Sequence, residues 1–393
     1  MVNNDVPTRA RRVLPGGITR STVFVPPHPP YAVRGSGAVV TDSTGHQVID
    51  CNNNYTSLIH GHADPQILDA AISAARSGTA FGLPTESEVE MAELLAKRTG
   101  IAQWRFCNSG TEAVMMLIRA ARAHTGRDMI IRFDGSYHGT ADAVVSPSAA
   151  GIPRSAAESV IVLPQGDLEA VEGALQTHGR NIAAILIDLM PNRAGLRRAT
   201  DQYVEGLRKL TRQHGVLLAI DEVITFRLNS GGLHNEYRLA PDLISVGKVI
   251  GGGFPIGAVG GGAEVLSSFS PYETGAVAWG GTFSANPVTI AAGITALTKF
   301  DADQIRELNS RGDALRTRLV SAGAPVNGSG SLLRLTSENS ADLWWALYER
   351  GVLAGTNGLL ALSTPMTAQQ IATVGDVVLE ILNRKAHLLT SSR

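Results

Sequence analysis

Two apolar runs, each followed or ended by a charged residue, constrain the fold of this chain more than any other feature. Asp221 ends a run that begins at residue 216, and Lys248 directly follows the run Leu243–Gly247. Runs of this length and composition are typical of strands buried on both faces of a parallel sheet. Open α/β sheets bind their ligands at the carboxyl ends of such strands. We therefore expect Asp221 and Lys248 to face each other at one edge of a parallel sheet.

A buried amine beside a buried carboxylate has a specific chemical use. Burying a charged group is costly unless the group has a partner or a function. An amine held out of water loses its proton more readily, and a neutral amine attacks carbonyl carbons. Lys248 and Asp221 together indicate a pyridoxal 5′-phosphate (PLP) enzyme. In such enzymes the lysine forms a Schiff base with the cofactor, and the aspartate pairs with the pyridinium nitrogen.

The composition argues against several other classes of function. The chain has 393 residues, of which 44% are hydrophobic and 18% charged, so it can form a large domain and a smaller one. A formal net charge of −1 provides no attraction to nucleic acid or to an anionic membrane. The ten histidines form no zinc-binding pattern, and the two cysteines form no disulfide framework. We expect a cytoplasmic protein without bound metal, nucleic acid or membrane contact.

Helix and strand patterns alternate from about residue 60 and predict an α/β fold with a mostly parallel sheet. The predicted strands are 104–108, 129–133, 160–163, 183–189, 216–220 and 243–247. The predicted helices are 70–76, 86–99, 112–124 and 203–213, and Asp167 is expected to cap a further helix that runs to residue 178. Residues 38–41 and 47–50 flank a turn signal and predict a hairpin.

The pattern changes after about residue 297. A charged amphipathic helix at 305–322, a strand at 331–336 and a helix at 341–350 predict a second, smaller α+β domain. We therefore expect three segments. Residues 1–55 form an N-terminal arm and part of the small domain, 56–297 form the large cofactor-binding domain, and 298–393 form the C-terminal small domain.

Three short motifs suit a planar cofactor that carries a phosphate. In 108–113, the amides of Gly110 and Thr111 at a helix start form an anion site, although an ordinary helix cap is the alternative. Tyr137 follows a strand and can stack on an aromatic ring or simply pack at a turn. Residues 280–287 provide either a second phosphate contact or a flexible entry to a helix.

A nucleotide-binding loop around Lys248 is excluded. The motif GxxxxGK[ST] requires a glycine at position 242 and a Ser or Thr after the lysine. This chain has Asp242 and Val249 at those positions.

Considered together, the motifs resemble the class III aminotransferases of PLP fold type I, including glutamate-1-semialdehyde 2,1-aminomutase and the β-amino-acid aminotransferases. The likeness covers nearly the whole chain. It rests on the segments 14–17, 42–45, 61–62, 108–113, 136–139, 221–225, 247–253 and 281–287. It implies a large domain with a mostly parallel seven-stranded sheet, a small α+β domain and a homodimer with shared active sites.

The resemblance also implies roles for individual residues. Lys248 carries the cofactor and moves the substrate proton, and Asp221 holds the ring nitrogen. Val223 packs against one face of the ring and Tyr137 against the other. His138 belongs to the same motifs and has a supporting role.

Further cofactor contacts follow from the same resemblance. Ser109, Gly110 and Thr111 bind the phosphate, and Thr282 reaches the phosphate of the partner subunit. Where relatives read Glu-Pro-Val, this chain reads Asp-Leu-Met-Pro-Asn-Arg from residue 188. The contact to the phenolic oxygen of the cofactor is therefore expected from Asn192 or from the arginine after it.

Two residues are expected to bind the substrate and to determine which substrates are accepted. Arg20 resembles the arm arginine that binds a carboxylate in β-amino-acid aminotransferases, because a guanidinium pairs with a carboxylate through two parallel hydrogen bonds. A surface arginine in a flexible arm is the alternative. Asn357 stands where some relatives have an arginine for a second carboxylate, which favours substrates with only one.

The expected reaction moves an amino group between a carboxylate-bearing amine or amino acid and a keto acid or aldehyde. Pyridoxamine 5′-phosphate is the expected intermediate form of the cofactor. The first alternative is an intramolecular transfer of the glutamate-1-semialdehyde 2,1-aminomutase type. The second is a protein that retains the fold for binding only, although such a protein has no need of Lys248, Asp221 and Tyr137 together.

Overall fold

The computed structural model describes residues 5–337 and 339–390. Their contacts divide the chain into two compact units. The large unit comprises 56–60 and 64–309, and the small unit comprises the described residues of 1–55, 61–63 and 310–393. This division falls inside one long helix, Ala302–Ser321, rather than after residue 297. The domain limits expected from the sequence stay a prediction, because a division by contacts does not test independent folding.

The regular elements are numbered in chain order. The strands are β1 (Ala32–Ser36), β2 (Val39–Asp42), β3 (Gln47–Asp50), β4 (Gln103–Cys107), β5 (Met129–Phe133), β6 (Val160–Leu163), β7 (Ile182–Ile187), β8 (Leu217–Asp221), β9 (Leu243–Gly247), β10 (Gly257–Gly261), β11 (Val326–Ser329), β12 (Leu332–Leu335), β13 (Val352–Leu353) and β14 (Leu359–Ala361). The helices are α1 (Val6–Val13), α2 (Asn53–Thr56), α3 (Pro65–Ser77), α4 (Glu86–Thr99), α5 (Gly110–Thr125), α6 (Arg154–Glu158), α7 (Leu168–His178), α8 (Asp201–His214), α9 (Ala263–Leu266), α10 (Pro287–Lys299), α11 (Ala302–Ser321), α12 (Ser340–Tyr348) and α13 (Ala368–Thr390).

The large unit is built on a seven-stranded sheet in the order β4-β10-β9-β8-β7-β5-β6. Neighbouring strands from β6 to β9 pair in parallel, and β10 pairs antiparallel with both β9 and β4. The predicted α/β class and the mostly parallel sheet are confirmed. Strand β10 does not follow from the sequence pattern because its sequence, GAVGG, has few of the β-branched residues that favour strands.

The central strands explain why the sheet lies in the core. All six residues of β7 and all five of β9 are buried, which requires cover on both faces of the sheet. Helix α5 provides part of that cover with a buried apolar face, and its side chains share one hydrophobic cluster with residues of β5, β7 and β9. Packing of this kind fixes the ends of the strands, where the candidate site lies.

The small unit contains two sheets. Strands β1, β2, β3 and β13 form one, and β11, β12 and β14 form the other. The antiparallel pair β2 and β3 confirms the predicted hairpin. Trp344 of α12 stacks on Tyr348 with ring centroids 4.9 Å apart, and the Tyr348 hydroxyl donates to Asp42 at 2.7 Å. None of the described helices has the length and apolar character needed to cross a membrane.

Candidate active site

Three ionisable side chains lie at the carboxyl ends of adjacent strands in the large unit. Asp188 directly follows β7, Asp221 ends β8 and Lys248 directly follows β9. Ile187 pairs in register with Ile220, and Asp221 pairs with a serine of β9. This register places the three residues along one edge of the sheet, the edge at which α/β folds bind ligands.

Asp221 is held as an anion by hydrogen bonds. The Nδ1 of His138 donates to its Oδ2 at 2.7 Å. The Ser245 hydroxyl and the Val223 amide donate to its Oδ1 at 3.1 and 3.0 Å. Burial acts to raise the pKa of Asp221, but the bond and charge of His138, the Val223 amide and Lys248 hold it below its ordinary value. The site therefore contains a fixed negative charge.

Lys248 combines an uncommon backbone conformation with an amine that loses its proton easily. Its φ angle is 51°, in the left-handed region that non-glycine residues rarely occupy outside special sites. Burial lowers the pKa of Lys248, although Asp221 and Asp188 act to raise it. A larger fraction of the amine is consequently neutral and nucleophilic.

Asp188 is a site residue to which the sequence patterns assign no role. Its side chain is 6% exposed, and it accepts a hydrogen bond from the Met190 amide at 2.9 Å. Burial and the Asp221 carboxylate raise the pKa of Asp188 to about 7. Like Asp221, Asp188 stands at the carboxyl end of a buried apolar strand, but the sequence pattern predicts that strand to continue to residue 189 and so does not single Asp188 out.

The turn between β4 and α5 forms an anion site. Ser109 caps the 16-residue helix, since its hydroxyl accepts the Glu112 amide at 3.1 Å. The amides of Gly110 and Thr111 are the first two of the helix and have no acceptor among the residues that the structure describes. Helix amides of this kind bind phosphate.

Glycines, which have no side chain, let four loops approach one another next to this turn. A Cβ on Gly110 would lie 2.9 Å from a methyl of Val223, and one on Gly247 would lie 3.6 Å from the same methyl. A Cβ on Gly139 would lie 2.5 Å from the Thr111 hydroxyl. The predicted residues after β4, β5, β8 and β9 are thereby brought together in the large unit.

The Arg193 side chain lies over one face of the Tyr137 ring. The Arg193 guanidinium carbon lies 4.0 Å from the ring centroid, and Tyr137 is 38% exposed. Asn192 is buried beside this arginine in the chain. The loops after β5 and β7 are in contact, because a Cβ on Gly135 would lie 3.0 Å from the Cβ of Ala194. A cation next to the predicted stacking residue is a feature that only the structure shows.

Two further motif residues lie on loops. Thr282 is exposed in the segment before α10, and its neighbour Gly281 approaches the side chain of Asn108. The contact of Thr282 with the phosphate of a partner subunit stays a prediction. Glu222 accepts the amides of Leu233 and His234 at 2.9 and 2.6 Å, so it anchors a neighbouring loop.

The two predicted substrate residues lie in the small unit. Arg20 Nη1 donates to the side-chain oxygen of Asn54 at 2.7 Å. The Asn357 side-chain oxygen accepts the Leu359 amide at 3.3 Å, and the Asn357 carbonyl accepts from Arg334 at 3.1 Å. Arg334 is a cation that the sequence did not single out. The roles of Arg20 and Asn357 toward substrate stay predictions.

The large unit offers the groups that PLP requires. The free amides of Gly110 and Thr111 suit a phosphate, and the Asp221 carboxylate suits a protonated ring nitrogen. The Lys248 amine suits an aldehyde carbon. The glycines at 110 and 139 leave room that a Cβ would fill. These donor and acceptor groups therefore fit this cofactor.

Comparisons with known proteins agree with this chemistry. The model of the family described as "Aminotransferase class-III" matches residues 24–378. A glutamate-1-semialdehyde 2,1-aminomutase of Methanothermobacter thermautotrophicus is 39% identical over 330 residues, which cover 81% of this chain and 78% of that protein.

Two solved structures are similar over nearly their whole length. An omega-transaminase from Sphaerobacter thermophilus is 42% identical, with a TM-score of 0.93 and 96% of each chain covered. A beta-phenylalanine aminotransferase from Variovorax paradoxus is 33% identical, with a TM-score of 0.90, and the match covers 97% of this chain and 94% of that one.

Proposed function

Because the chain belongs to the class III aminotransferase family, we propose that it transfers amino groups with PLP bound at Lys248 and Asp221. Family membership confirms three predictions made from the motifs, namely the resemblance, the PLP fold type I class and an enzyme of amino-group transfer. The family also implies PLP as the cofactor. The proposal for these residues depends on one observation: the buried Lys248 amine, whose pKa is lowered by burial, and the Asp221 carboxylate lie at neighbouring strand ends.

Each residue of the site has a defined task in this proposal. Lys248 would hold the cofactor and, as a free amine, would remove the proton from the substrate carbon and deliver it to the former aldehyde carbon of the cofactor. Asp221 keeps the ring nitrogen protonated, and His138 keeps Asp221 ionised and oriented. When bound, PLP supplies the electron sink that stabilises negative charge on the substrate carbon.

Further contacts of the cofactor are part of the same proposal. In this proposal, the phosphate is bound by Ser109, Gly110 and Thr111 at the start of α5. Val223, beside Gly110, packs on one face of the ring. Asn192 reaches the phenolic oxygen from the loop after β7.

Tyr137 covers the other ring face in this proposal.

The predicted homodimer and its cytoplasmic location belong to the proposal as well. Thr282 of one subunit completes the phosphate site of the other. Two buried cysteines without a disulfide, Cys51 and Cys107, suit a reducing compartment.

The proposed substrate is a small amine with one carboxylate, bound by Arg20. Relatives named for beta-phenylalanine and for glutamate-1-semialdehyde support this substrate class. Asn357 can donate a hydrogen bond but cannot neutralise a second carboxylate, and burying an unpaired charge is costly.

An intramolecular aminomutase is the second candidate, favoured by the name of the 39% identical curated relative. The same residues serve both reactions, so the need for an external acceptor separates them. An aminotransferase turns over only when a keto acid or aldehyde is supplied. An aminomutase converts its substrate without one.

The first experiment locates the cofactor. The purified protein is loaded with PLP, reduced with borohydride and digested, and the labelled peptide is identified by mass spectrometry. We expect the label on Lys248, its loss in Lys248→Ala, and its retention in the matched control Lys209→Ala on helix α8. A label on a different lysine would refute the proposal. A panel of amines, assayed with and without pyruvate, then separates the two candidate reactions.

A further inference from the structure

A polar side chain on an uncommon backbone turn holds Arg20. The side-chain oxygen of Asn54 accepts from Arg20 Nη1 at 2.7 Å. Asn54 is the second of four consecutive non-glycine residues with positive φ, and the angles from Asn53 to Thr56 are 49°, 48°, 53° and 75°. Each such residue is conformationally strained, because its Cβ crowds the following carbonyl. A run of four therefore needs compensation from its surroundings.

The small unit supplies that compensation through hydrogen bonds. Asp50 Oδ1 accepts the amides of Asn52 and Asn53, both at 2.8 Å. The Asn52 side-chain oxygen accepts the Tyr55 amide at 2.6 Å. The Asn53 side chain donates to the Ala361 carbonyl at 2.6 Å. Strained backbone that is held this firmly occurs preferentially where its conformation serves a function.

The turn also fixes the backbone that follows Arg20. The Tyr55 hydroxyl donates to the Thr22 carbonyl and lies 3.0 Å from the Thr356 hydroxyl. The Thr356 hydroxyl also contacts the Thr22 carbonyl, at 2.9 Å. Consecutive residues of the turn thus bind the Arg20 segment twice, Asn54 through the side chain of Arg20 and Tyr55 through the backbone two residues later.

We propose that Asn54 is a positioning residue that presents the Arg20 guanidinium to a substrate carboxylate, and that the left-handed turn holds Asn54 for this purpose. The inference deepens the proposed function and rests on its assignment of Arg20. An amide oxygen accepts one N–H of the guanidinium without neutralising its charge. The remaining N–H groups stay available for two parallel bonds to one carboxylate.

The test measures binding of a carboxylate and of its neutral amide to the PLP-loaded enzyme. The probes are 3-phenylpropanoate and 3-phenylpropanamide, which differ in charge but hardly in shape, and their Kd values are measured by calorimetry. Asn54→Gly removes the acceptor and suits the left-handed backbone. Asn339→Gly is the matched control, because Asn339 is also in the small unit and loses a side-chain hydrogen bond to the Asp342 amide.

We expect Asn54→Gly to reduce the preference for carboxylate over amide by roughly tenfold or more, the lower end of what one hydrogen bond to a charged group contributes. Asn54→Asp reduces it further, and more at low salt, because its carboxylate competes for Arg20. Asn339→Gly leaves the preference unchanged. In an Arg20→Ala background the preference is already lost, and Asn54→Gly has no additional effect.

The outcomes distinguish this inference from the function on which it rests. If Arg20→Ala loses the preference but both Asn54 variants keep it, the positioning role is overturned and the role of Arg20 stands. Equal weakening of both probes by Asn54→Gly shows a merely structural role and overturns the inference as well. If Arg20→Ala keeps the preference, both assignments fail. The borohydride label on Lys248 tests the amino-transfer chemistry separately.

Discussion

Asp188→Asn tests whether the carboxyl next to Asp221 keeps its proton up to near-neutral pH. Burial and the charge of Asp221 raise the pKa of Asp188 from 3.8 to about 7. Asparagine is similar in size to aspartic acid and is uncharged at every pH. The substitution therefore removes one titrating group from the site and nearly preserves the shape of the side chain.

The sign of the effect follows from proton binding. A carboxyl with a raised pKa binds its proton more tightly in the folded protein than in the unfolded chain, so stability is lost as pH rises from 3.8 to about 7. A tenfold change in the dissociation constant corresponds to about 1.4 kcal/mol, and this shift covers roughly three tenfold steps. The total loss is about 4 kcal/mol, of which about 3 kcal/mol falls between pH 5 and pH 8.

Urea unfolding of the cofactor-free protein at pH 5 and pH 8 measures this loss. We expect Asp188→Asn to gain about 3 kcal/mol relative to the wild type when the pH is raised from 5 to 8. Asp201→Asn, which changes an exposed carboxyl at the start of α8, is the control and shows no such gain. Parallel pH profiles for Asp188→Asn and the wild type would refute the protonated state of Asp188.

Three further predictions concern the cofactor and the substrate. Asp221→Asn retains the fold but lowers the rate of proton removal by about a hundredfold, because a charge-assisted contact to the ring nitrogen is lost; single-turnover kinetics with wild-type rates would contradict this. Thr282→Ala weakens PLP affinity, and dilution of the wild type to a monomer does the same, because cofactor binding and dimerisation are linked; a monomer with full affinity in ultracentrifugation would argue against the shared site. Glutamate and 2-oxoglutarate are poor substrates compared with alanine-type amines, and Asn357→Arg improves them. A strong preference for glutamate in kcat/KM, unaffected by Arg20→Ala, would show that neither Arg20 nor Asn357 determines which substrate is bound.

The central part of the fold and of the site was predictable because it depends on local patterns. The buried runs that became β8 and β9 are continuous in the sequence, and a parallel sheet buries such strands on both faces. A charged residue at the end of such a run lies at the edge of the sheet. Asp221 and Lys248 were therefore identified before any tertiary contact was known. The aminotransferase family followed from an ordered set of motifs.

Strand order and the environment of each charge were not predictable in this way. Nothing local indicates that β7 lies beside β8, yet this pairing brings Asp188 next to Asp221 and raises its pKa to about 7. Strand β10 carries three glycines in five residues and becomes a strand only because β4 and β9 flank it. Tertiary pairing overrides weak local propensity in such cases.

The sequence by itself determined the periodicity of the strands, the charged groups at their ends and the family. The tertiary structure alone decided which distant groups meet, such as Arg20 with Asn54, 34 residues apart, and Arg193 with Tyr137. The left-handed turn at Asn54 contains no glycine. It is held by the nearby Asp50 and Asn52 side chains together with the distant backbone carbonyls of Ala361 and Thr22. The physical reason is that side-chain periodicity is a property of the local backbone. Hydrogen bonds, strain and pKa shifts depend on distances that only the folded chain sets.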